Sequence, residues 1–179
     1  MIIRPIEKSD SKGGFCCGRS ALDVFFSKRA WDNDQADVAR VFVMQDDAGL
    51  AGDLGAVIGY YTLSAKEVAR ERLQKPLPRS LPKYPLSVFY IGYFAIAEQY
   101  QRRGFGRQLL ADALRRCLEA AQGMGAVGVL LDSLDDQSTA FYRSLGFEEI
   151  PRAPGTPLDG PQPMFLGMAV IAAAKPASS

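Results

Sequence analysis

The stretch Gln101-Arg102-Arg103-Gly104-Phe105-Gly106-Arg107 sets three arginines and two glycines between an apolar run and the amphipathic pattern QLLADALRRCLEAAQ. At a helix start the first backbone N–H groups have no intrahelical partner and the helix dipole adds partial positive charge, so the position suits a phosphate. Gly104 and Gly106 lack a Cβ, which lets the backbone curl around an anion and approach it closely. Arg102, Arg103 and Arg107 add charge and forked donors. The turn lacks the Lys-Ser/Thr ending of a P-loop, which removes the case for magnesium-dependent nucleotide hydrolysis, and no acidic residue closes a following strand as a dinucleotide fold requires. Spacing alone leaves a solvated basic helix start as the alternative. The place directly behind a strongly apolar run favours a pyrophosphate cradle.

Absences narrow the remaining chemistry. The chain has no histidine, and its three cysteines, Cys16, Cys17 and Cys117, form no C-x-x-C pair. Neither a metal site nor a disulfide framework is expected, and a reducing cytoplasm fits. With no histidine to form a thiolate, the cysteines are poor nucleophiles, and Cys117 falls on an apolar helix side. Twenty-one Lys+Arg against twenty Asp+Glu give a formal net charge of +1, so any nucleic-acid surface must be local. The N-terminus MIIRPIEKSD has no signal-peptide apolar region, and no run approaches the roughly 18 apolar residues of a membrane helix.

The elements that must hold these residues follow from periodicity. With 179 residues, 47% of them hydrophobic, one domain over residues 1–179 is expected, residues 173–179 forming a disordered tail. Ser20 and Asp23 read as a capping box for a helix reaching about Asn33, with Leu22, Phe25, Phe26 and Ala30 on one side. Val38–Gln45 and Ala56–Ala65 are β-branched and aromatic runs split by DDAGLAGDLG, an antiparallel hairpin. Pro85–Glu98 is apolar on both faces and therefore a central strand. A helix from about Gly104 to Gln122 buries Leu109, Leu110, Ala113, Leu114, Cys117, Leu118 and Ala121. Ala126–Leu134 reads as a buried strand, DQSTAFYRSLG as a short helix closed by Gly146, FEEI as a strand and MFLGMAVIAA as the last strand. The order predicts a mixed α/β fold with helices on both faces of the sheet, and the strand–helix–strand unit at residues 86–134 makes its two strands parallel.

AIAEQYQRRGFGRQLL, followed some forty residues on by FYRSLGF, resembles the acetyl-CoA-binding motif and C-terminal signature of the GNAT superfamily of N-acetyltransferases. The resemblance implies the GNAT fold, a mostly antiparallel sheet whose parallel strand pair splays for acetyl-CoA. It implies that backbone N–H groups in the Gln101–Arg107 turn hold the pyrophosphate and that the backbone of Phe94, Ala95 and Ile96 pairs with the pantetheine arm, one N–H facing the thioester oxygen. A fixed N–H aimed where an oxyanion forms stabilises the transition state more than the ground state. Tyr142 is the candidate general acid: a phenol of pKa about 10 is always loaded at neutral pH and can donate to a departing thiolate of pKa about 8.5. The superfamily's tyrosine at this position often has that role. Glu98 and Asp132, near the ends of the parallel strands, could act as a base directly or through water. An α-amine with a pKa of about 7.7–8.0 needs no base at all.

The N-terminal third carries acceptor information. FCCGRSALDVFF, the Ala30 to Gln35 spacing, GYYTLSA and LDDQSTAFYRSLGF, with Asp135 where many GNAT sequences have asparagine, are similar to GNAT toxins of bacterial toxin–antitoxin pairs. That resemblance implies acetylation of the α-amino group of aminoacyl-tRNA and a ribbon-helix-helix antitoxin partner. A small amine, a protein N-terminus or a non-catalytic CoA-binding role are the other readings of the same fold. A basic connection with Lys66, Arg70, Arg72, Lys75, Arg79 and Lys83 against Glu67 and Glu71 carries a local net of +4, and with Lys28, Arg29 and Arg40 could line an RNA-facing surface. The aromatic VFYIGYF strand leaves a homodimer open.

Overall fold

A computed structural model of the chain describes residues 1–49, 55–73 and 84–174. Its strands are β1 (Ile2–Pro5), β2 (Arg40–Gln45), β3 (Val57–Val68), β4 (Leu86–Ile96), β5 (Gly128–Ser133), β6 (Glu148–Glu149) and β7 (Gln162–Gly167). Its α-helices are α1 (Ser20–Lys28), α2 (Ala30–Gln35), α3 (Phe105–Ala120), α4 (Asp136–Arg143) and α5 (Met168–Ala173). The sheet order is β1-β2-β3-β4-β5-β7-β6. β2 and β3 form the expected antiparallel hairpin, and β4 and β5 are parallel, Phe89–Ile91 against Val129–Leu131. β7 runs antiparallel to both β5 and β6. β4 is the middle strand, as its two apolar faces predict.

Three readings change. The expected single helix from Ser20 to Asn33 is two, because Arg29 leaves helical geometry at φ −130°. The capping box is absent: Ser20 is already helical, and the Asp23 carboxylate accepts the Cys17 N–H at 2.8 Å instead. A backbone donor delivered from six residues upstream outcompetes the local cap, which sequence spacing cannot show. The last expected strand stops at Gly167, and MAVIAA folds as α5, where alanine and methionine favour helix and only Ile171 is buried. β1 carries no sequence signal of its own, since four residues ending in Pro5 are too short to show alternation. It is ordered by pairing with β2 at the sheet edge, where proline is tolerated. Ala173 is the last residue of α5, and residues 175–179 of the expected tail lie outside the described ones, as do Lys75, Arg79 and Lys83.

The chain divides into two compact units interleaved in sequence, Met1–Ser64 with Gly92–Leu114, and Ala65–Ile91 with Arg115–Ser179. In the first, Phe25, Phe26, Val41, Val43, Tyr60 and Ala95 form a buried core. Phe25 stacks on Tyr93 with ring centroids 3.6 Å apart, and the Tyr60 hydroxyl donates to the Leu22 carbonyl at 2.8 Å. In the second, Val68, Leu73, Leu86, Val88, Leu130 and Ile150 form another. The face expected for α3 holds at Leu109, Leu110, Ala113 and Cys117, all buried. Val88, Phe89 and Ile91 of VFYIGYF are also buried. Tyr90, Tyr93 and Phe94 of the same run are partly buried. Among the described residues no helix is long and apolar enough to cross a membrane.

Gly59, in the GYYTLSA run, fixes how closely β3 meets the end of β4. A Cβ there would lie 2.6 Å from Ile96 Cδ1 and 2.7 Å from the Ala95 carbonyl oxygen. Because one of these neighbours is backbone, Gly59→Ala must displace the Ala95–Ile96 segment. It is expected to cost about 1–3 kcal/mol, roughly 2–12 °C in melting temperature for a chain of this size. A thermal melt unchanged from the parent would show that the segment yields freely.

Candidate active site

The turn between β4 and α3 is shaped by its backbone geometry. Arg102 (φ +58°) and Gly104 (φ +88°) both lie in the left-handed region, one on each side of Arg103. The Gly104 carbonyl accepts from the Arg107 N–H at 3.1 Å and the Gln108 N–H at 3.3 Å, so Gly104 is the residue that opens the helix. Among the described residues no backbone acceptor takes the N–H of Phe105 or Gly106. These are the orphan donors of a helix start, and an anion satisfies them. Arg107, expected to donate its N–H to the anion, already spends it on Gly104. The Arg103 guanidinium sits over two rings of this turn, 5.7 Å from the Tyr100 centroid and 5.4 Å from that of Phe105. It is thereby held against the turn.

Upstream, Phe94, Ala95 and Ile96 end β4 in the same unit, with Ala95 and Ile96 buried. The ladder changes character just before them. The Tyr93 N–H donates to the Thr62 hydroxyl at 3.0 Å, a side chain, and the Ala97 N–H donates to the Ile58 carbonyl at 2.8 Å. Thr62 had no sequence signal, because its role depends on which residue pairs across from it. Further along, the Tyr61 hydroxyl donates to Asp112 at 2.6 Å and ties α3 to β3.

Tyr142 lies in the second unit, near the end of α4. The sequence reads a short helix here, and the structure adds its cap: Asp135 accepts the Ser138 N–H at 2.7 Å, and the Ser138 hydroxyl accepts the Asp135 N–H at 3.1 Å. At the other end the Phe147 N–H donates to the Tyr142 carbonyl at 3.2 Å. The ring packs edge-on against Phe141 and Phe147, with centroids 5.2 and 5.8 Å away, and the residue is 6% exposed. Burial pushes the phenol above its ordinary pKa by penalising the phenolate. The phenol is therefore more firmly protonated than that of a free tyrosine.

The two carboxylates differ in setting. Glu98 is exposed in a short turn, Glu98–Tyr100, just beyond β4. Asp132 accepts the Tyr90 hydroxyl at 2.7 Å, and Lys66 Nζ sits 4.0 Å above the Tyr90 ring, a lysine–tyrosine–carboxylate line that no motif announced. Arg72 Nε donates to the Pro151 carbonyl at 2.8 Å, and Arg40 contacts Asp34 and Asp37. Those two cations of the basic surface are thus engaged within the protein. Burial raises the thiols of Cys17 and Cys117 to about 12, Cys17 further through its hydrogen bond with Asp23. Neither forms a thiolate at neutral pH.

Known proteins resemble the chain in sequence and in fold. Residues 37–149 match the family described as the acetyltransferase (GNAT) domain. The chain is 33% identical over 151 residues to the tRNA-acetylating toxin of Mycobacterium tuberculosis, covering 84% of this chain and 86% of that protein. It is 32% identical over 162 residues to the probable toxin TacT of Sinorhizobium fredii, covering 86% and 87%. The solved structure of AtaT complexed with acetyl-methionyl-tRNAfMet superposes with a TM-score of 0.82 at 22% identity, over 96% of this chain and 97% of that one. A variant of AtaT bound to acetyl-CoA and the C-terminus of the antitoxin AtaR gives 0.71 at 20%, over 96% of each. At such identities the structures speak to the fold alone. The matched span includes β4, the left-handed turn, α3 and the capped helix that carries Tyr142, and with these features and relatives the chain belongs to the GNAT family of acetyltransferases.

Proposed function

We propose that the protein transfers the acetyl group of acetyl-CoA to the α-amino group of an aminoacyl-tRNA in the cytoplasm, blocking translation, and is neutralised by a ribbon-helix-helix antitoxin. The observation that carries the reading is the 33% identity to a tRNA-acetylating toxin across 84% of the chain. The backbone turn at Arg102–Arg107 receives the pyrophosphate, chiefly on the N–H groups of Phe105 and Gly106. The backbone of Phe94–Ile96 aligns the pantetheine arm and offers an N–H to the thioester oxygen. The neutral amine attacks the carbonyl carbon, the C–S bond breaks as the amide forms, and the leaving sulfur takes its proton from the Tyr142 hydroxyl. An α-amine is already partly neutral at pH 7, so neither Glu98 nor Asp132 is required as a base. Residues 1–179 act as one acetyltransferase domain.

Labelled acetyl-CoA incubated with the protein and a pool of charged tRNA is expected to place label on RNA, released when the aminoacyl ester is hydrolysed. Label on polyamines or peptides with none on aminoacyl-tRNA would replace this acceptor with a small amine or a protein N-terminus.

A further inference from the structure

The N-terminal F-C-C-G motif is far from the cofactor turn in sequence, yet it is hydrogen-bonded to the segment that leads into it. Gln101 Nε2 donates to the Cys17 carbonyl and to the Ile96 carbonyl, each at 3.0 Å. The Glu98 N–H donates to the Cys16 carbonyl at 2.9 Å. Cys17 is held in turn, since its own N–H donates to Asp23 Oδ1 at 2.8 Å. All of these residues lie within one compact unit. A side-chain amide has two N–H hydrogens, and both are directed to protein carbonyls here. The Gln101 side chain therefore has no donor left for a phosphate.

From this we infer that Gln101 is a positioning residue: it closes the segment from the end of β4 to the start of α3 against residues 16–17 and so pre-orders the backbone N–H groups that receive the pyrophosphate. The inference rests on reading residues 102–107 as the pyrophosphate turn. It also gives the N-terminal motif a role in donor binding. Cys17 supplies a carbonyl, Asp23 fixes the peptide plane on its N-terminal side, and Gln101 bridges that carbonyl to β4. Without the bridge the turn must be ordered by the ligand itself, and that cost appears as lost affinity.

The test uses the full chain and calorimetry with CoA, which requires no acceptor. Gln101→Glu keeps the shape of the side chain but removes both donors. It is expected to weaken CoA binding roughly 5- to 30-fold, as the loss of two partly exposed hydrogen bonds implies. The KM for acetyl-CoA should rise by the same factor while kcat at saturating acetyl-CoA stays within about threefold, because the ligand can still order the turn. Gln101→Arg, which restores several N–H donors, should bind CoA within about twofold of the parent. Where Gln101→Glu does not fold, Gln101→Met removes the donors without adding charge and gives the same comparison. CoA affinity within twofold of the parent in the donor-free variant would overturn the inference, and so would a fall in kcat with KM unchanged. A parent protein that binds no CoA would overturn the pyrophosphate reading itself, and the positioning role with it.

Discussion

Tyr142→Phe is expected to lower kcat for acetyl transfer by about 10²- to 10⁴-fold, the usual contribution of a positioned general acid. The substitution removes one oxygen and leaves the ring that packs against Phe141 and Phe147. Acetyl-CoA affinity should therefore stay within a few-fold of the parent and the fold should be retained. Because burial raises the phenol above its ordinary value, kcat of the parent should show no alkaline loss from this group up to about pH 10. Single-turnover assays at saturating acetyl-CoA, run across pH, read both effects. Unchanged turnover in Tyr142→Phe would remove Tyr142 from the chemistry and leave it as a packing residue beside Phe147.

Gly104→Val is the second large effect, and its cause lies in the backbone. A Cβ at Gly104 meets no atom within 4 Å, so there is no clash inside the protein. The obstacle is φ +88°, a conformation that a β-branched residue adopts only at a cost of about 1–3 kcal/mol. If that energy is spent distorting the turn, acetyl-CoA binding falls by roughly 5- to 150-fold. Arg102→Ala removes one exposed charge near a helix start, worth about 0.3–1 kcal/mol, and is expected to weaken binding only about two- to fivefold. Gly106 separates the two ways a glycine can serve an anion. It has no positive φ, so Gly106→Val carries none of the left-handed backbone cost of Gly104→Val. Calorimetry with acetyl-CoA ranks the three. A larger loss in Arg102→Ala than in Gly104→Val would mean that the arginines, and not the curled backbone, hold the pyrophosphate.

The turn was legible because glycine and arginine types constrain the backbone wherever they occur. The two glycines marked a tight turn, which Gly104 makes at positive φ, and the following LLADALRRC pattern marked the helix α3. The left-handed Arg102 was not legible, since nothing in an arginine announces positive φ. A capping box does open α4, at Asp135 and Ser138, settled within four residues and seen only in the structure. The same kind of signal failed at Ser20 and Asp23, where a nearby backbone N–H, that of Cys17, claimed the carboxylate. Runs of β-branched and aromatic residues revealed β2 and β3, whereas β1 depended wholly on its partner. MAVIAA was apolar without a decisive period, and helix propensity decided a segment that had read as strand.

By itself the sequence determined the central strand, the parallel pair and the helix that carries Tyr142, through apolar periodicity, local residue chemistry and the right-handed crossover of a strand–helix–strand unit, and its resemblance to known motifs pointed to the family. Tertiary structure alone decided which donors remain unpaired at the turn, that the Tyr93 N–H goes to Thr62, that Tyr90 engages Asp132 beneath Lys66, and that Gln101 serves Cys17 and Ile96. Each of these is a choice among several hydrogen-bond partners of similar strength. The chain settles it by which groups folding brings within 3 Å of one another, and spacing along the sequence does not encode that distance.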